Sequence, residues 1–269
     1  MKDYSMEVET IGDDIRAVIV GGGYIAQKLS RILYNRGLGC TIISRANNLD
    51  LSSIPEFIFL FNNNNGNISE TVLNFVETIK SKLIIISVDK QCGDNLIKQC
   101  LEKDIDFCSV SVYDVFGGNG TGSALENVFP GAEKKKLTSF KNDQIVVTPI
   151  FVDDAAEGLC RIAFFTQTFK KNFLISGKEE IPLVGFINRV SAEAGRMFGF
   201  ILKPEEQSEP YPDAVVRHEK IIKRDESYLL LNWQPEVNLA EGIKLTLKSQ
   251  PVVIEKEQPE VKKKMILSP

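Results

Sequence analysis

The sequence holds few residues of the kinds that bind zinc or cross-link secreted proteins. Its 269 residues include one histidine, His218, and five cysteines, none of them in a Cys-x-x-Cys pair. Because zinc sites in proteins take their ligands mainly from these two residue types, the composition argues against a metal centre. An odd number of cysteines in a chain without a secretory leader is typical of reduced thiols, so we predict a cytoplasmic protein.

Long apolar runs and an excess of positive charge are missing too. No run of about 18 apolar residues occurs, so we expect no membrane span. Residues 1–14 are acidic and lack the apolar segment of a signal peptide. The formal charge of −4 argues against general nucleic-acid binding, although local basic groups can still meet an anionic ligand.

The stretch from Arg16 to Arg45 has the pattern of one βαβ unit. Ala17 to Val20 is a short apolar run with the length of a buried parallel strand, and three glycines end it. Apolar residues then recur at helical spacing as far as Gly37, and a second apolar run begins at Ile42. Strand, glycine turn, helix and strand follow one another within about 30 residues.

Gly21-x-Gly23-x-x-Ala26 matches the dinucleotide-binding pattern G-x-G-x-x-G/A in this context. Gly21 permits a tight turn, and Gly23 lets the backbone approach a pyrophosphate. Ala26 is small enough for the helix to pack closely on its strand. The helix start, at Tyr24 and Ile25, offers N–H groups to the phosphates. The pattern predicts a bound dinucleotide, and an ordinary βα turn is the alternative.

The second strand of the unit ends in Ser44-Arg45, where a site for NAD usually places an acid. No Asp or Glu lies between Gly37 and Asn48. Arg45 could instead bind a 2′-phosphate, which favours NADP over NAD. The alternative is a solvated arginine at the end of a strand.

Phe57 to Phe61 is a further buried-strand run, followed by the asparagine tract that begins at Asn62. This end of a strand is where doubly wound sheets bind cofactors, so Phe61 and Asn62 are predicted cofactor contacts. The tract is either a loop over the cofactor or a plain surface turn.

Strand and helix patterns go on alternating, which predicts an α/β, Rossmann-type doubly wound parallel sheet with a smaller C-terminal α/β substrate domain. Further predicted strands cover 83–87, 107–112 and 172–175, an extended segment covers 144–150, and predicted helices cover 68–80, 96–101, 124–129, 156–163, 180–200 and 239–247. Residues 133–136 are a charge run expected in a solvated turn, and 203–213 are expected in a loop. The predicted division is 1–150, with 151–170 packing back onto it, then 171–249 and an extended tail over 250–269.

Four motifs occur in one order along the chain. They are Gly23-Tyr24-Ile25-Ala26, Val112-Tyr113-Asp114-Val115-Phe116-Gly117, Phe151-Val152-Asp153-Asp154-Ala155-Ala156-Glu157, and Leu231-Asn232-Trp233-Gln234-Pro235 with Leu239-Ala240-Glu241-Gly242-Ile243. Together they resemble the motifs of the extended short-chain dehydrogenase/reductase family, the NAD(P)-dependent epimerases and dehydratases of nucleotide sugars. The second motif resembles that family's Asn-Val-Tyr-Gly-Pro segment, with Asp114 where asparagine is usual.

The resemblance implies a nucleotide sugar bound between the two domains. Tyr113 and Asp114 are then expected near the cleft, and Arg217, beside His218, is expected to contact a phosphate of the sugar nucleotide. The alternative for His218 is a structural or exposed role, which is more common for a lone histidine. Dimerisation through a helix pair is common in such folds, so the resemblance also implies a homodimer.

The family normally works through Tyr-x-x-x-Lys, in which the lysine lowers the pKa of the tyrosine and holds the nicotinamide ribose. The literal match, Tyr24 to Lys28, lies inside the glycine turn and its helix, and we interpret it as chance. At the expected place the chain offers Ser87 and Lys90, with Ile86 at the tyrosine position. The loop that would carry the tyrosine is shorter than in the family.

Two functions follow from this departure. In the first, another group replaces the tyrosine, and the candidates are Tyr113, Asp114, Asp89 and His218. A packing role is the equal alternative for Tyr113, and a solvated ion pair with Lys90 is the alternative for Asp89. In the second, the protein keeps the fold and the cofactor but has no hydride chemistry, and acts as a binding or regulatory protein.

Overall fold

The computed structural model describes residues 9–11, 15–43, 54–62, 66–90, 92–118, 120–129, 136–140, 145–165, 169–199, 203–207 and 217–249. The strands are β1 Glu9–Ile11, β2 Ile15–Val20, β3 Gly39–Ile43, β4 Phe57–Phe61, β5 Lys82–Val88, β6 Phe107–Val112, β7 Val115–Phe116, β8 Lys136–Phe140, β9 Val146–Val147, β10 Ile150–Phe151, β11 Asn172–Ile175, β12 Ile181–Pro182 and β13 Lys203–Gln207. The helices are α1 Gly23–Asn35, α2 Gly66–Ile79, α3 Asp94–Glu102, α4 Val152–Phe164, α5 Leu183–Phe198, α6 Arg217–Leu231 and α7 Leu239–Ser249, and a 3-10 helix spans Ala124–Val128.

The main sheet has the strand order β1-β3-β2-β4-β5-β6-β11. Six of its strands run parallel, and β1 pairs antiparallel with β3 at one edge. The order reverses at β2, whose neighbours are β3 and β4. The predicted α/β, doubly wound sheet is therefore confirmed, and the reversal puts the end of β2 where such sheets form a crevice.

Both faces of the sheet are buried, which explains the unbroken apolar strands. In β4, Phe57, Phe59 and Phe61 belong to the core on the side of α1 and α4, whereas Ile58 and Leu60 belong to the core beneath α2 and α3. Successive side chains of a strand point to opposite faces, so a strand covered on both sides has no polar alternation.

α4 lies against α1 on one face of the sheet. Two ion pairs join these helices, Lys28 with Asp153 at 2.7 Å and Arg36 with Glu157 at 2.5 Å. β11 pairs with β6 and so adds a strand from the second half of the chain to the main sheet. The division into a cofactor domain and a substrate domain over 171–249 stays a prediction. β11 falls within 171–249 but belongs to the main sheet.

Short pairs of strands connect the remaining elements. β7 pairs with β10 and β8 with β13, both parallel, and β9 pairs antiparallel with β12. The prediction of a loop from residue 203 is wrong for 203–207, which form β13; Pro204 is accommodated there because the strand pairs on one side, with β8. Lys136, predicted in a solvated turn, begins β8, and the segment 124–129 is a short 3-10 helix.

Several predicted features lie outside the described residues. They include the tail over 250–269, the asparagines at 63–65 and most of the charge run before Lys136. None of the helices in the described part of the chain is both long enough and apolar enough to cross a membrane.

Candidate functional site

The glycine turn between β2 and α1 needs glycine at each of its positions. Gly21, Gly22 and Gly23 have φ of 78°, 89° and 51°, a region that side chains disfavour. A Cβ on Gly22 would overlap the ring of Phe61, and a Cβ on Gly23 would overlap the carbonyl oxygen of Gly120. The turn is held to β3 by the N–H of Gly21, which donates to the carbonyl of Ile43 at 2.9 Å.

The predicted cofactor contacts Phe61 and Asn62 flank this turn. The Phe61 side chain is 5% exposed and lies against Gly22. The N–H of Asn62 donates to the carbonyl of Ile86 at 2.7 Å, so the chain leaves β4 along β5. Phe61 is thus placed beside the turn that was predicted to hold the diphosphate.

The start of α1 is in contact with a second glycine-rich segment. We call this the glycine loop; its described residues are Gly117, Gly118 and 120–123. The N–H of Tyr24 donates to the carbonyl oxygen of Gly120 at 3.0 Å. The ring of Tyr24 lies so close to Gly118 that a Cβ there would overlap it.

Tyr24 and Lys28 have structural contacts. The Lys28 ammonium lies 5.4 Å from the centre of the Tyr24 ring and binds Asp153 of α4. Burial lowers the pKa of Lys28, but the hydrogen bond and charge of Asp153 outweigh it and leave the pKa raised. These contacts place Lys28 of the literal Tyr-x-x-x-Lys match in the α1–α4 interface, and Tyr24 beside the glycine loop.

Two carboxylates hold the glycine loop. Glu126 Oε2 accepts the N–H and the hydroxyl of Thr121, both at 2.6 Å, and the N–H of Gly122 at 3.3 Å. Asp89 Oδ2 accepts the hydroxyl of Ser123 at 2.8 Å and the N–H of Ala124 at 2.7 Å. The loop is therefore fixed at its C-terminal side to the end of β5.

Asp89 and Asp114 are neighbouring buried acids. Asp89 Oδ1 accepts the N–H of Asp114 at 2.8 Å, and Asp114 Oδ2 accepts the N–H and hydroxyl of Thr148 at 2.7 and 3.0 Å. Burial first, and then the charge of Asp114, raise the pKa of Asp89 to about 6. Asp114 is 8% exposed, so its side chain is enclosed by the chain itself.

Ser87 is the next-to-last residue of β5, and Lys90 and Tyr113 follow the ends of β5 and β6. The register Ser87↔Ser111 and Val88↔Val112 sets these strand ends side by side. Ser87 is fully buried, and its Oγ lies 3.3 Å from Cys92 Sγ. Sequence analysis did not predict this contact of Cys92 with Ser87. Lys90 is half-buried.

Tyr113 is 3% exposed. Burial, followed by the charges of Asp89, Asp114 and Cys92, raises its pKa to about 12. A tyrosine that exchanges protons with a sugar needs a lowered pKa, which in the resembled family a lysine supplies. The surroundings of Tyr113 act in the opposite direction, so its proposed role as replacement base has no electrostatic support here.

Other predicted site residues cannot be placed. Ser44 and Arg45 lie outside the described residues. Arg217 and His218 begin α6, but their side chains are outside the described set.

Two of the motifs behind the family resemblance contact one another. Asp154 of α4 accepts the N–H groups of Glu236 and Val237 at 3.1 and 2.9 Å. Trp233 lies against Gly158 in the next turn of α4, where a Cβ would be 2.7 Å from the indole. The segment after α6 is thereby fastened to the helix that packs on α1.

No protein-family model matches the chain, and no curated protein matches it. Solved structures do match. The UDP-glucuronic acid 4-epimerase from Bacillus cereus, in complex with UDP-glucuronic acid and NAD, is 13% identical with a TM-score of 0.65 over 86% of this chain and 98% of that one. An epimerase from Methanothermobacter thermautotrophicus is 14% identical with a TM-score of 0.63 over 87% and 92%. The enzyme WbmF from Bordetella bronchiseptica, in complex with NAD+ and UDP, is 13% identical with a TM-score of 0.61 over 87% and 91%. The chain therefore has the fold of these enzymes across most of its length, which confirms the predicted resemblance at the level of the fold.

Proposed function

We propose that this chain binds a nicotinamide dinucleotide at the glycine turn and acts on a nucleotide sugar as an oxidoreductase, epimerase or dehydratase. The observation that carries the proposal is the turn itself. Gly22 and Gly23 have positive φ and no room for a Cβ, and they open a helix at the point where the strand order reverses. Matching structures that contain NAD with UDP or a UDP-sugar support it.

The cofactor would supply hydride transfer between C4 of its nicotinamide and a sugar carbon. The start of α1 would hold its diphosphate, and Phe61 and Asn62 would border it. Ser87 and Lys90 would orient the reactants at the ends of β5 and β6. We propose NADP rather than NAD, because the guanidinium of Arg45 would bind the 2′-phosphate of NADP.

The sugar nucleotide would lie beside the ends of β5 and β6, with Tyr113 and Asp114 at its border and Arg217 and His218 contributing from α6. Cytoplasmic location and a homodimer also stay predictions.

A catalytically silent cofactor-binding or regulatory protein is the second candidate. Ile86 occupies the place of the family tyrosine, and the pKa of Tyr113 is raised rather than lowered. Both observations favour binding without hydride chemistry.

The test mixes the protein with NADPH or NADP and a panel of nucleotide sugars. It follows the absorbance of the reduced nicotinamide for net oxidation or reduction, and the sugar products by chromatography, because an epimerase or dehydratase returns its cofactor to the starting oxidation state. An enzyme shows turnover that Lys90→Ala lowers by about 100-fold or more, whereas Lys98→Ala, an exposed lysine paired with Glu102 on α3, leaves it unchanged. Cofactor binding with no turnover for any sugar favours the silent protein. Absence of binding for all four nicotinamide forms would exclude both.

A further inference from the structure

We infer that the glycine loop is an internal cover of the diphosphate position, and that it must move away from the start of α1 before a dinucleotide binds there. The inference rests on the proposed function, because it concerns the same turn. It adds a closed state of that turn, which the structure describes, and an open state, which the cofactor would select.

In the closed state, the carbonyl of Gly120 uses a backbone N–H that a bound dinucleotide would also need. In a dinucleotide site the first free N–H groups of the helix point at phosphate oxygens. Here the N–H of Tyr24 already donates to the carbonyl oxygen of Gly120 at 3.0 Å. A carbonyl at a helix N-terminus meets the same partial positive charge as a phosphate does. The Gly120 carbonyl thus stands in chemically for the ligand oxygen.

The Gly120 carbonyl also fills the space that a phosphate would need next to Gly23. The Gly120 oxygen lies so close to Gly23 that even a methyl group on Gly23 would overlap it. Gly23 is the residue whose lack of a side chain was predicted to let a pyrophosphate approach the backbone. With the carbonyl in place, a phosphate cannot reach that backbone.

Residues 120–122 of the loop can move while Gly117 and Ser123 stay fixed. Gly120 and Gly122 are exposed, have φ of 82° and 79°, and have nothing within 4 Å of a would-be Cβ. Gly117 and Ser123 at either end are buried. Glycine reaches many backbone conformations at little cost, so residues 120–122 can leave α1, and the buried Thr121 between the two glycines moves with them.

Polar contacts, together with the Tyr24 ring packed on Gly118, keep the loop closed. Glu126 accepts three of its donors, from Thr121 and Gly122. Net contributions of single hydrogen bonds are small, about 0.5–1.5 kcal/mol each. A cofactor that gains several phosphate contacts in return can therefore displace the loop.

The experiment uses backbone strain to open the loop without removing a contact to the cofactor. An alanine at Gly120 fits the space but disfavours φ of 82°, and Glu126→Ala removes the acceptor of the loop. The matched control is Gly37→Ala, which has φ of 80° and open space at the other end of α1. The probes are NAD, NADP and ADP-ribose in titration calorimetry, with hydrogen exchange at the Tyr24 amide as a readout that needs no ligand.

We expect Gly120→Ala and Glu126→Ala to bind the dinucleotide about 5- to 30-fold more tightly than wild type, and Gly37→Ala to bind as wild type does. The Tyr24 amide should exchange faster in both loop variants and not in the control. Binding by wild type that neither loop variant improves overturns the inference and leaves the proposed function intact. If no variant binds any probe although the Tyr24 amide exchanges faster, the inference and the proposed function both fail.

Discussion

Asp89 and Asp114 join the ends of β5 and β6 through one hydrogen bond, from the N–H of Asp114 to Asp89 Oδ1 at 2.8 Å. Both residues have positive φ, 52° and 57°. Each carboxylate then reaches a different part of the chain, Asp89 to the glycine loop and Asp114 to Thr148. Two acids that sequence analysis offered as catalytic candidates thus fix the backbone around the site.

Asp89 gives stability a pH dependence. Burial, then the charge of Asp114, raise its pKa to about 6, against 3.8 for an ordinary aspartate. Between about pH 4 and 6 the folded chain keeps a proton on Asp89 that the unfolded chain has released, so its contribution to the free energy of unfolding falls as pH rises, by about 1–3 kcal/mol. Because Asp89→Asn lacks this titration, its free energy of unfolding relative to wild type should rise from pH 4 to pH 7.

Urea unfolding at several pH values measures this difference. Glu241→Gln, at an exposed carboxylate of α7, is the control and should follow wild type. A gap between Asp89→Asn and wild type that is the same at every pH would contradict the assignment.

Two adjacent aspartates of α4 should differ sharply in their effect on stability. Asp154 is 6% exposed and accepts the N–H groups of Glu236 and Val237, so Asp154→Ala leaves two part-buried backbone donors without their acceptor and should cost about 2–4 kcal/mol. Asp153→Ala removes a half-exposed ion pair with Lys28 and should cost about 0–1 kcal/mol. Chemical denaturation of the two variants compares them directly, and equal losses would refute the structural role of Asp154.

Two helical glycines make a matched pair for packing. Gly158→Ala places a methyl group 2.7 Å from the Trp233 indole, and overpacking of this kind should destabilise by about 1–3 kcal/mol. Gly185→Ala in α5 meets Pro182 at 3.7 Å, an ordinary contact, so the better helix propensity of alanine should stabilise by about 0.5–1 kcal/mol. Thermal unfolding measures both, and the single tryptophan reports the first by its fluorescence.

Cys92 should be the first of the five thiols to react with iodoacetamide in the folded protein. It is half-buried, whereas Cys40, Cys100, Cys108 and Cys160 are buried. Burial raises the pKa of Cys92, against a hydrogen bond from Ser87, so the reaction should still be slower than for a free cysteine. Peptide mapping after timed alkylation checks the order, and earlier labelling of a buried cysteine would contradict it.

The main sheet could be read from the sequence because its strands are buried on both faces. β4, with Phe57 to Phe61, and β5, with Leu83 to Ile86, appear as unbroken apolar runs between helical patterns. The glycine turn could also be predicted, because its whole pattern lies within one short stretch of sequence. The predicted roles of Ser87 and Lys90 stay predictions.

Among the elements that sequence analysis missed, α6 and β1 were missed for physical reasons that the structure shows. α6 buries Arg224 and Ser227, which bind backbone groups of Gly177 and Leu174, so its inner face is partly polar and shows no clear helical periodicity. β1 is three residues long and is held by backbone pairing with β3, which requires no apolar pattern.

The cover over the glycine turn was beyond sequence reasoning as well. Glycines after β6 indicate a turn but do not say where that turn docks. The contact joins Tyr24 to Gly120, nearly a hundred residues apart in the chain, through backbone atoms. Backbone contacts of this kind leave no residue signature beyond the glycines themselves.

The bond between Asp154 and Val237 also bears on the order in which the chain is synthesised. Val237 leaves the ribosome 83 residues after Asp154, a delay of roughly 4–17 s at ordinary translation rates. During that interval the side of α4 that later meets Trp233 is uncovered on the nascent chain. We expect chaperones that recognise apolar surface to engage this stage of synthesis, and premature termination before Trp233 to yield fragments that proteases remove.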